Sequence, residues 1–178
     1  KEQASEIQQR LGWEMREDAG RGWRYVVPSP EPQHIADIAM VDTMVASGAI
    51  AVTGGGGGIP VVRSPDGTRR GINAVIDKDL TSAMMGNFLG ADTFMILTSI
   101  DSVRVNFGTA EERVLTEVTV RQLRDYAKEG QFAAGSMGPK VEAAARFVEG
   151  GGRRAVIAHL DDAMAALEGT RGTHILHN

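Results

Sequence analysis

The sequence predicts an α/β layered fold with a mainly parallel sheet. Short apolar runs alternate along the chain with helical patterns of about ten residues, which is typical of such folds. One run, DTFMILT at residues 92–98, has no polar alternation, as expected of a strand that is covered on both faces. Glycine-rich or charged loops follow several of these runs. Because ligands of such sheets bind beyond the carboxyl ends of the strands, a functional site is expected at these loops.

The elements follow in order from local patterns. Apolar residues at helical spacing before a glycine predict a first helix: Ala4, Ile7, Leu11 and Gly12. The segment EDAGRGWRYVVPSPEP is expected to be a loop, then extended, then bounded by prolines, and so to act as a hinge. A second helix is predicted to begin near Ile35 and to end at Gly48.

The middle of the chain predicts strands and one buried helix. Two apolar runs predict strands, AIAVT at residues 49–53 and GINAVID at residues 71–77. The helix that follows is expected to be buried, with an apolar stripe formed by Leu80, Ala83, Met84 and Phe88.

Capping signals and apolar runs define the rest. A capping-box pattern at Thr119 and Gln122 predicts a helix over VRQLRDYAKEG, and Pro139 is expected at the first position of the next helix. RAVIAHL, DDAMAALEG and THIL then predict a strand, a helix and a closing strand.

Composition excludes several classes of protein. Of the 178 residues, 42% are apolar and 24% are charged, as in ordinary globular domains. A net charge of -4 argues against nucleic-acid binding through a broad basic face, so any phosphate site must be local. The absence of cysteine excludes a disulfide framework and fits a reducing cytoplasm. No apolar run approaches the roughly 18 residues of a membrane span, so we expect a soluble, cytoplasmic protein without membrane partners.

The first candidate loop is the glycine run in TGGGGGIP. Ordering five glycines costs backbone entropy, whereas a simple turn needs only one or two of them. The run therefore indicates a loop whose N–H groups approach an anion, with a flexible turn as the alternative. No Gly-Lys-Ser/Thr follows, and the spacing of the dinucleotide-binding fingerprint is absent, so neither of those two motifs is present.

The second candidate loop, IDKDL, lies between a predicted strand end and a helix start. In the functional interpretation Lys78 neutralises a phosphate oxygen, while the neighbouring acids hold lysines in position or contact a metal. The alternative is a solvated ion pair in which Asp79 caps the helix.

The third candidate loop, GSMGPK, places Lys140 in the first turn of a predicted helix. A helix start carries unpaired N–H groups and the positive end of the dipole, so it repels a lysine and attracts an anion. A bound phosphate would remove this conflict. The alternative is a surface lysine whose long stem swings away from the helix.

Two histidines near the end of the chain do not predict a metal site. His174 and His177 lie three residues apart, which in a strand points them to opposite faces, and no third ligand is apparent. We therefore expect no metal site built from protein residues.

Taken together, these loops carry a resemblance to a known family. The matching blocks are REDAGRGWRYVVPSP, GGGGIPV, AVIDKDL, NFG at residues 106–108, and EGQFAAGSMGPKVEAAARFVEGG. The chain resembles carbamate kinases, which are members of the amino-acid kinase superfamily, and is similar to roughly their C-terminal half. The blocks run through nearly the whole chain, and the VVPSP and GSMGPK blocks are specific to carbamate kinases within the superfamily.

The resemblance implies an open three-layer α/β/α sandwich of the amino-acid kinase type and a homodimer. It implies Mg²⁺-dependent, reversible phosphoryl transfer between ATP and carbamate, giving ADP and carbamoyl phosphate, often in the ATP-forming direction during arginine fermentation. Residues 1–30 would be the end of a protruding subdomain and its hinge. Residues 31–178 would be the C-terminal, nucleotide-binding part of a single α/β domain.

The resemblance also implies roles for particular residues. Lys78 and Lys140 would hold the transferring phosphoryl group, and Asp79 would orient them. The residues that would border the carbamate and the γ-phosphate are Gly54, Gly55, Gly56, Gly57 and Asp77. The residues that would line the nucleotide are Thr98, Ser99, Asp101, Gly135, Ser136 and Met137.

This sequence departs from the family pattern in two ways. The family begins with a strand and a glycine-asparagine phosphate loop and carries a further catalytic lysine, and this N-terminal half is expected to be absent here. Thr98-Ser99-Ile100 replaces Thr-Asp-Val or Thr-Gly-Val, and Arg104 stands in place of an uncharged residue. Two alternatives are a non-catalytic binding or assembly subunit, and a relative that acts on another acyl or phosphate acceptor.

Overall fold

A computed structural model describes residues 2–17, 20 and 22–178. Lys1 and part of the predicted hinge, Asp18, Ala19 and Arg21, lie outside the described residues. The chain divides into two compact units: the first holds the residues up to Glu31 with Ile59–Ile76, and the second holds Pro32–Gly58 with Asp77–Asn178. The division predicted at residue 30 stays a prediction.

The first unit combines one helix with two hairpins. Its elements are α1 (Glu2–Leu11), β1 (Met15–Glu17), β2 (Trp23–Tyr25), β3 (Val61–Arg63) and β4 (Arg69–Gly71). Strands β1 and β2 pair antiparallel, as do β3 and β4. Trp13 stacks on Tyr25 with the ring centroids 4.7 Å apart. The predicted first helix is confirmed.

The second unit contains the main sheet. Its helices are α2 (Ile38–Ala46), α3 (Lys78–Phe88), α4 (Val120–Lys128), α5 (Met137–Glu149) and α6 (Ala163–Leu167). Its strands are β5 (Thr93–Thr98), β6 (Val103–Val105), β7 (Arg113–Leu115), β8 (Glu117–Thr119), β9 (Arg154–His159) and β10 (Thr173–Leu176). The sheet order is β5-β9-β10-β8, and β6 pairs with β7 in a separate hairpin.

Two of the three strand pairings in this sheet are parallel. β5 runs parallel to β9 and β10 runs parallel to β8, whereas β9 and β10 are antiparallel. The predicted mainly parallel sheet is therefore confirmed. The carboxyl ends of β5 and β9 meet where Thr98 pairs with His159.

Helices cover both faces of the sheet, because β9 is apolar on both sides. Its residues Ala155 and Ile157 belong to the larger core, which also contains buried side chains of α3, α4 and α5. Val156 and Ala158 point into a smaller core with Ala166 of α6. This arrangement of helix, sheet and helix confirms the expected three layers.

Two predicted strands are wrong. Of the predicted runs 49–53 and 71–77, only Gly71 lies in a strand, as the last residue of β4. The other residues pair with no strand among the residues that the structure describes. A strand requires a hydrogen-bonded neighbour, which an apolar run cannot supply by itself. Ile50 and Val52 are accordingly 94% and 98% exposed.

Two helix boundaries differ from prediction. α2 begins at Ile38, three residues after Ile35, and ends before Gly48, whose φ of 86° is in the left-handed region that glycine tolerates. Pro139 is the third residue of α5, not the first. It still lies in the first turn, where backbone N–H groups have no acceptor within the helix, so the missing N–H of proline costs no helical hydrogen bond. Among the described helices, none has the length and apolar character needed to cross a membrane.

Candidate active site

The first turn of α3 carries the charged side chains of the IDKDL loop. Asp77 is the N-cap, because its Oδ1 accepts hydrogen bonds from the backbone N–H groups of Asp79 at 2.8 Å and Leu80 at 3.0 Å. These bonds satisfy two N–H groups that a helix start leaves unpaired. The cap is therefore Asp77, and Asp79 is available for other partners.

Asp79 brings two distant lysines together. Lys140 Nζ donates to Asp79 Oδ2 at 2.9 Å, and Lys78 Nζ lies 3.2 Å from the same carboxylate. The Asp79 side chain is only 10% exposed and that of Lys140 17%, whereas that of Lys78 is 55% exposed. A nearly buried carboxylate needs a cation beside it, and each ammonium group keeps further N–H donors for a ligand.

A cavity of about 320 Å³ opens beside this cluster. Three chain segments line it, at the start of α3, at the end of β5 and around the start of α5. The lining residues are Asp77, Lys78, Asp79, Thr98, Ser99, Ile100, Gly135, Ser136, Met137, Pro139 and Lys140. The carboxyl end of a parallel strand is where ligands bind in such sheets, so the cavity lies at the expected edge.

The start of α5 differs from the start of α3 in its capping. Ser136 is the N-cap of α5 but makes no side-chain capping hydrogen bond. The positive end of the α5 dipole therefore meets no carboxylate cap, and Lys140 adds a formal charge in the same turn. This combination favours an anionic ligand such as a phosphate.

The glycine run packs at the start of α3 but does not line the cavity. The Gly57 carbonyl accepts a hydrogen bond from Thr81 Oγ1 at 3.0 Å, and the Gly57 N–H donates to the Gly54 carbonyl at 2.9 Å. Positive φ values hold at Gly54, Gly55, Gly57 and Gly58, a backbone conformation that glycine adopts far more readily than other residues. The run thus has a conformational explanation, and the predicted contact of residues 54–57 with carbamate stays a prediction.

Asp101 also lies outside the cavity lining. Its carboxylate accepts hydrogen bonds from Arg104 Nη2 at 3.2 Å and from the Ser102 N–H at 2.9 Å. The predicted role of Asp101 at the nucleotide stays a prediction.

Sequence reasoning missed two residues of this region. Pro139 lines the cavity beside the predicted Lys140, so adjacency was an available signal. Thr81 anchors the glycine run through a hydrogen bond across 24 positions, for which the sequence gives no signal.

The described residues do not form a cage for Mg²⁺. No group of three or more His, Asp or Glu side chains among them could hold a metal ion. Asp77 and Asp79 supply the carboxylates of the cavity, but Asp77 caps α3 and Asp79 binds two lysines. We therefore assign no step to a metal held by the protein.

Comparisons with known proteins agree with this fold and site. The model of the amino acid kinase family matches residues 5–159. The carbamate kinase of Pyrococcus furiosus is 49% identical over 175 residues, which cover 98% of this chain and 55% of that protein. The carbamate kinase of Clostridium perfringens is 47% identical, with coverages of 99% and 56%. The structure of carbamate kinase from Giardia lamblia bound to AMP-PNP matches with a TM-score of 0.90 at 39% identity, covering 99% of this chain and 56% of that one.

The chain therefore belongs to the amino acid kinase family. Within that family it matches carbamate kinases along nearly its whole length, and the resemblance to their C-terminal half is confirmed. The chain spans about half the length of the curated relatives it matches.

Proposed function

We propose that the chain is the nucleotide-binding part of a carbamate kinase. Such an enzyme transfers a phosphoryl group reversibly between ATP and carbamate, giving ADP and carbamoyl phosphate. The observation that carries the proposal is the convergence of Lys78 and Lys140 on Asp79 at the edge of the cavity. Carbamate is proposed as the substrate because the relatives are carbamate kinases. An adenine nucleotide is proposed because the Giardia lamblia protein binds AMP-PNP.

Phosphoryl transfer depends on alignment of the reactants and on charge neutralisation more than on reactive side chains. In the ATP-consuming direction, the bond between the γ-phosphorus and its bridging oxygen breaks, and ADP leaves with the electron pair. A carbamate oxygen forms the new bond to phosphorus. Carbamate is already an anion, so no base is required, which is consistent with a cavity lining that contains no histidine.

The proposal gives roles to residues that line the cavity and to residues near it. Lys78 and Lys140 neutralise the oxygens of the transferring phosphoryl group, and Asp79 fixes the two ammonium groups. Thr98 and Ser99 line the nucleotide together with residues 135–137, and Asp101 lies near it. The glycines at residues 54–57 and Asp77 border the carbamate.

Mg²⁺ enters this proposal with the nucleotide. In phosphoryl-transfer sites the ion is usually bound by substrate phosphates and by only one or two carboxylates. This arrangement is compatible with the absence of a cage among the described residues.

Two measurements on the same protein test the proposal. Calorimetric titration with ADP measures whether the nucleotide binds, and a coupled assay measures ATP formation from ADP and carbamoyl phosphate. We expect saturable ADP binding together with ATP formation that acetyl phosphate does not support equally well. Absence of ADP binding would contradict a nucleotide site.

The same pair of measurements separates the alternatives. ADP binding without ATP formation favours a non-catalytic binding or assembly subunit. Transfer from another acyl phosphate in preference to carbamoyl phosphate favours a relative with a different acceptor.

The proposal includes a homodimer, a cytoplasmic location and the ATP-forming direction of arginine breakdown. Light scattering after size-exclusion chromatography measures the first of these directly.

A further inference from the structure

The three segments that line the cavity are linked to one another in different ways. The start of α3 joins the start of α5 directly, through the 2.9 Å bond between Asp79 and Lys140. A second connection runs outside the cavity, through the turn between β6 and β7. Below, residues 98–100 are the β5 wall, residues 135–140 are the α5 wall, and residues 106–112 are the β6–β7 turn.

One arm of this connection begins directly after the β5 wall. Both carboxylate oxygens of Asp101 lie 3.2 Å from Arg104 Nη2, and Arg104 Nη1 donates to Glu112 Oε1 at 2.7 Å. Glu112 Oε2 accepts a hydrogen bond from the Gly108 N–H at 2.8 Å. Arg104 therefore ties the residue that follows the β5 wall to the β6–β7 turn.

The charges of this arm support one another. The hydrogen bond from Arg104 lowers the pKa of Asp101 below its ordinary value. The hydrogen bonds from the Gly108 N–H and from Arg104 likewise lower the pKa of Glu112. Both carboxylates are therefore ionised at neutral pH.

The other arm leads from the same turn to the α5 wall. The Asn106 N–H donates to Gln131 Oε1 at 2.7 Å, and Gln131 Nε2 donates back to Asn106 Oδ1 at 3.2 Å. Asn106 has a φ of 53°, in the left-handed region, where asparagine is better tolerated than most residues. One glutamine side chain thus holds both the backbone and the side chain of the turn's first residue.

The loop between Gln131 and the α5 wall is compact. The Ala133 carbonyl accepts hydrogen bonds from the N–H groups of Ser136 at 3.2 Å and Gly138 at 2.9 Å. A Cβ atom at Gly138 would lie 3.2 Å from that carbonyl oxygen, so the backbone at residue 138 already lies close to the backbone at residue 133. The Gln131 N–H also donates to the Tyr126 carbonyl at the end of α4. Gln131 is thus held between the end of α4 and a loop that its own hydrogen bonds keep compact, two residues before Ala133.

We propose that Arg104 and Gln131 are positioning residues that set the separation of the β5 wall from the α5 wall. Acting through the β6–β7 turn, they determine how well the cavity fits the nucleotide between these walls. The inference rests on the proposed function, since it concerns the affinity of that site. Exposed ion pairs contribute little to folding, so for Arg104 the effect is expected on nucleotide affinity and not on the fold.

Substitution of either residue tests the proposal by ADP titration of the 178-residue chain. We expect Arg104→Gln and Gln131→Leu each to raise the dissociation constant for ADP about 3- to 10-fold, the range typical of residues that couple through a network. Because both substitutions break the same connection, the double variant should bind ADP about as weakly as either single variant. Arg104→Lys should restore little of the affinity for ADP that Arg104→Gln loses, because one ammonium group cannot bridge two carboxylates as a guanidinium does.

Arg113→Gln is the matched control, since it removes an arginine from the same hairpin. Arg113 donates to the Tyr126 hydroxyl at 2.7 Å and lies over that ring, on the side of α4. We expect its dissociation constant for ADP to change less than about 2-fold, as for ordinary surface substitutions.

Hydrogen exchange followed by mass spectrometry separates this proposal from the proposed function. Arg104→Gln should accelerate amide exchange in the α5 wall as well as beside Asp101, although Arg104 contacts only the latter side. Unchanged exchange in the α5 wall, or wild-type ADP affinity in both single variants, overturns the positioning role. If the wild-type chain does not bind ADP, the proposed function fails together with the affinity part of this inference, and the exchange result alone decides whether the turn couples the two walls.

Discussion

Lys140 shows how a single unfavourable residue is accommodated. A lysine in the first turn of α5 opposes the helix dipole, and this conflict predicted an anionic ligand. The Asp79 carboxylate, 2.9 Å from Lys140 Nζ and nearly buried, already compensates part of that charge within the protein. The ion pair therefore holds the lysine in place beside the cavity. A phosphate oxygen would accept hydrogen bonds from the remaining N–H groups of its ammonium group.

We predict that Lys140→Met impairs phosphoryl transfer while the fold persists. Removing a pre-placed donor from a dry site costs about 10² to 10³ in rate, so a loss of at least about ten-fold is expected in a form of the protein that makes ATP. Lys128→Met is the control, because Lys128 lies on α4 with its side chain 77% exposed. A rate near that of the wild type would remove Lys140 from the mechanism.

The Asp77 cap leads to a second prediction at the residue scale. Asp77→Ala removes acceptors from two backbone N–H groups of α3, and losing an N-cap typically costs about 1 kcal/mol of unfolding free energy. Asp162→Ala is the control, because Asp162 is the N-cap of α6 without a side-chain capping bond. Urea denaturation measures both variants, and equal losses would contradict the assigned role of the cap.

At the scale of elements, helices were predictable and several strands were not. The spacing of Ala4, Ile7 and Leu11 and the capping box at Thr119 carry their information locally, and the structure confirms both helices. The strands predicted at residues 49–53 and 71–77 failed, apart from Gly71 at the end of β4, because pairing depends on a distant neighbour. Strands such as β6 and β7 have only three residues, too few for a pattern of alternation.

The same distinction holds for the candidate site. Lys78, Asp79 and Lys140 were predictable because glycines, charges and helix starts are adjacent in sequence. The hydrogen bonds of Gln131 with Asn106 join residues 25 positions apart, and no local sequence pattern predicts them.

The packing of α3 against α5 depends on a glycine. A Cβ atom at Gly86 would lie 2.9 Å from Phe147 Cε2, and Phe147 is fully buried. We expect Gly86→Ala to lower the free energy of unfolding by about 1 to 3 kcal/mol through overpacking, partly offset by the better helix propensity of alanine. Ser82→Ala, at an exposed position of the same helix, should not destabilise it. A stabilised Gly86→Ala variant would show that the ring moves freely.

An ion-pair network between α4 and α5 predicts a pH dependence. Arg124 binds Glu142 and Glu149, and Arg146 Nε donates to Glu142 Oε1 at 2.6 Å. Burial raises the pKa of Glu142, but the hydrogen bonds from Arg146 and Arg124 outweigh burial, and the net pKa lies below the ordinary 4.5. A carboxylate with a lowered pKa stabilises the fold above its unfolded pKa, and this stabilisation is lost as the pH falls through the folded value.

Melting curves of Glu142→Gln check this direction. The variant should melt below the wild type at neutral pH. The difference should narrow as the pH falls through the lowered pKa of Glu142, where the wild-type carboxylate becomes protonated. A difference that stays constant with pH would show that the network acts through packing alone.

At the scale of the whole molecule, the second unit leaves apolar surface uncovered. α2 is an apolar helix in which only Ile38 is buried, and Met40 and Met44 are 68% and 49% exposed. Ile50 and Val52 follow in the segment that was predicted to be a strand. Extensive exposed apolar surface marks an interface, and the relatives carry almost as much chain again as the part that matches here.

We predict that residues 49–53 pair as a strand in a form of the protein with the full length of its relatives. Hydrogen exchange should then be slow at these amides in the longer form and fast in the 178-residue chain, because an unpaired backbone N–H exchanges readily. Val52→Thr should leave the melting temperature of the 178-residue chain unchanged, since Val52 is 98% exposed there. In the longer form the same substitution should cost about 1 to 3 kcal/mol, because it places a hydroxyl where a valine is buried. If Val52→Thr changes the stability of both forms equally, residues 49–53 stay exposed to solvent in the longer form as well, and the predicted strand is wrong there too.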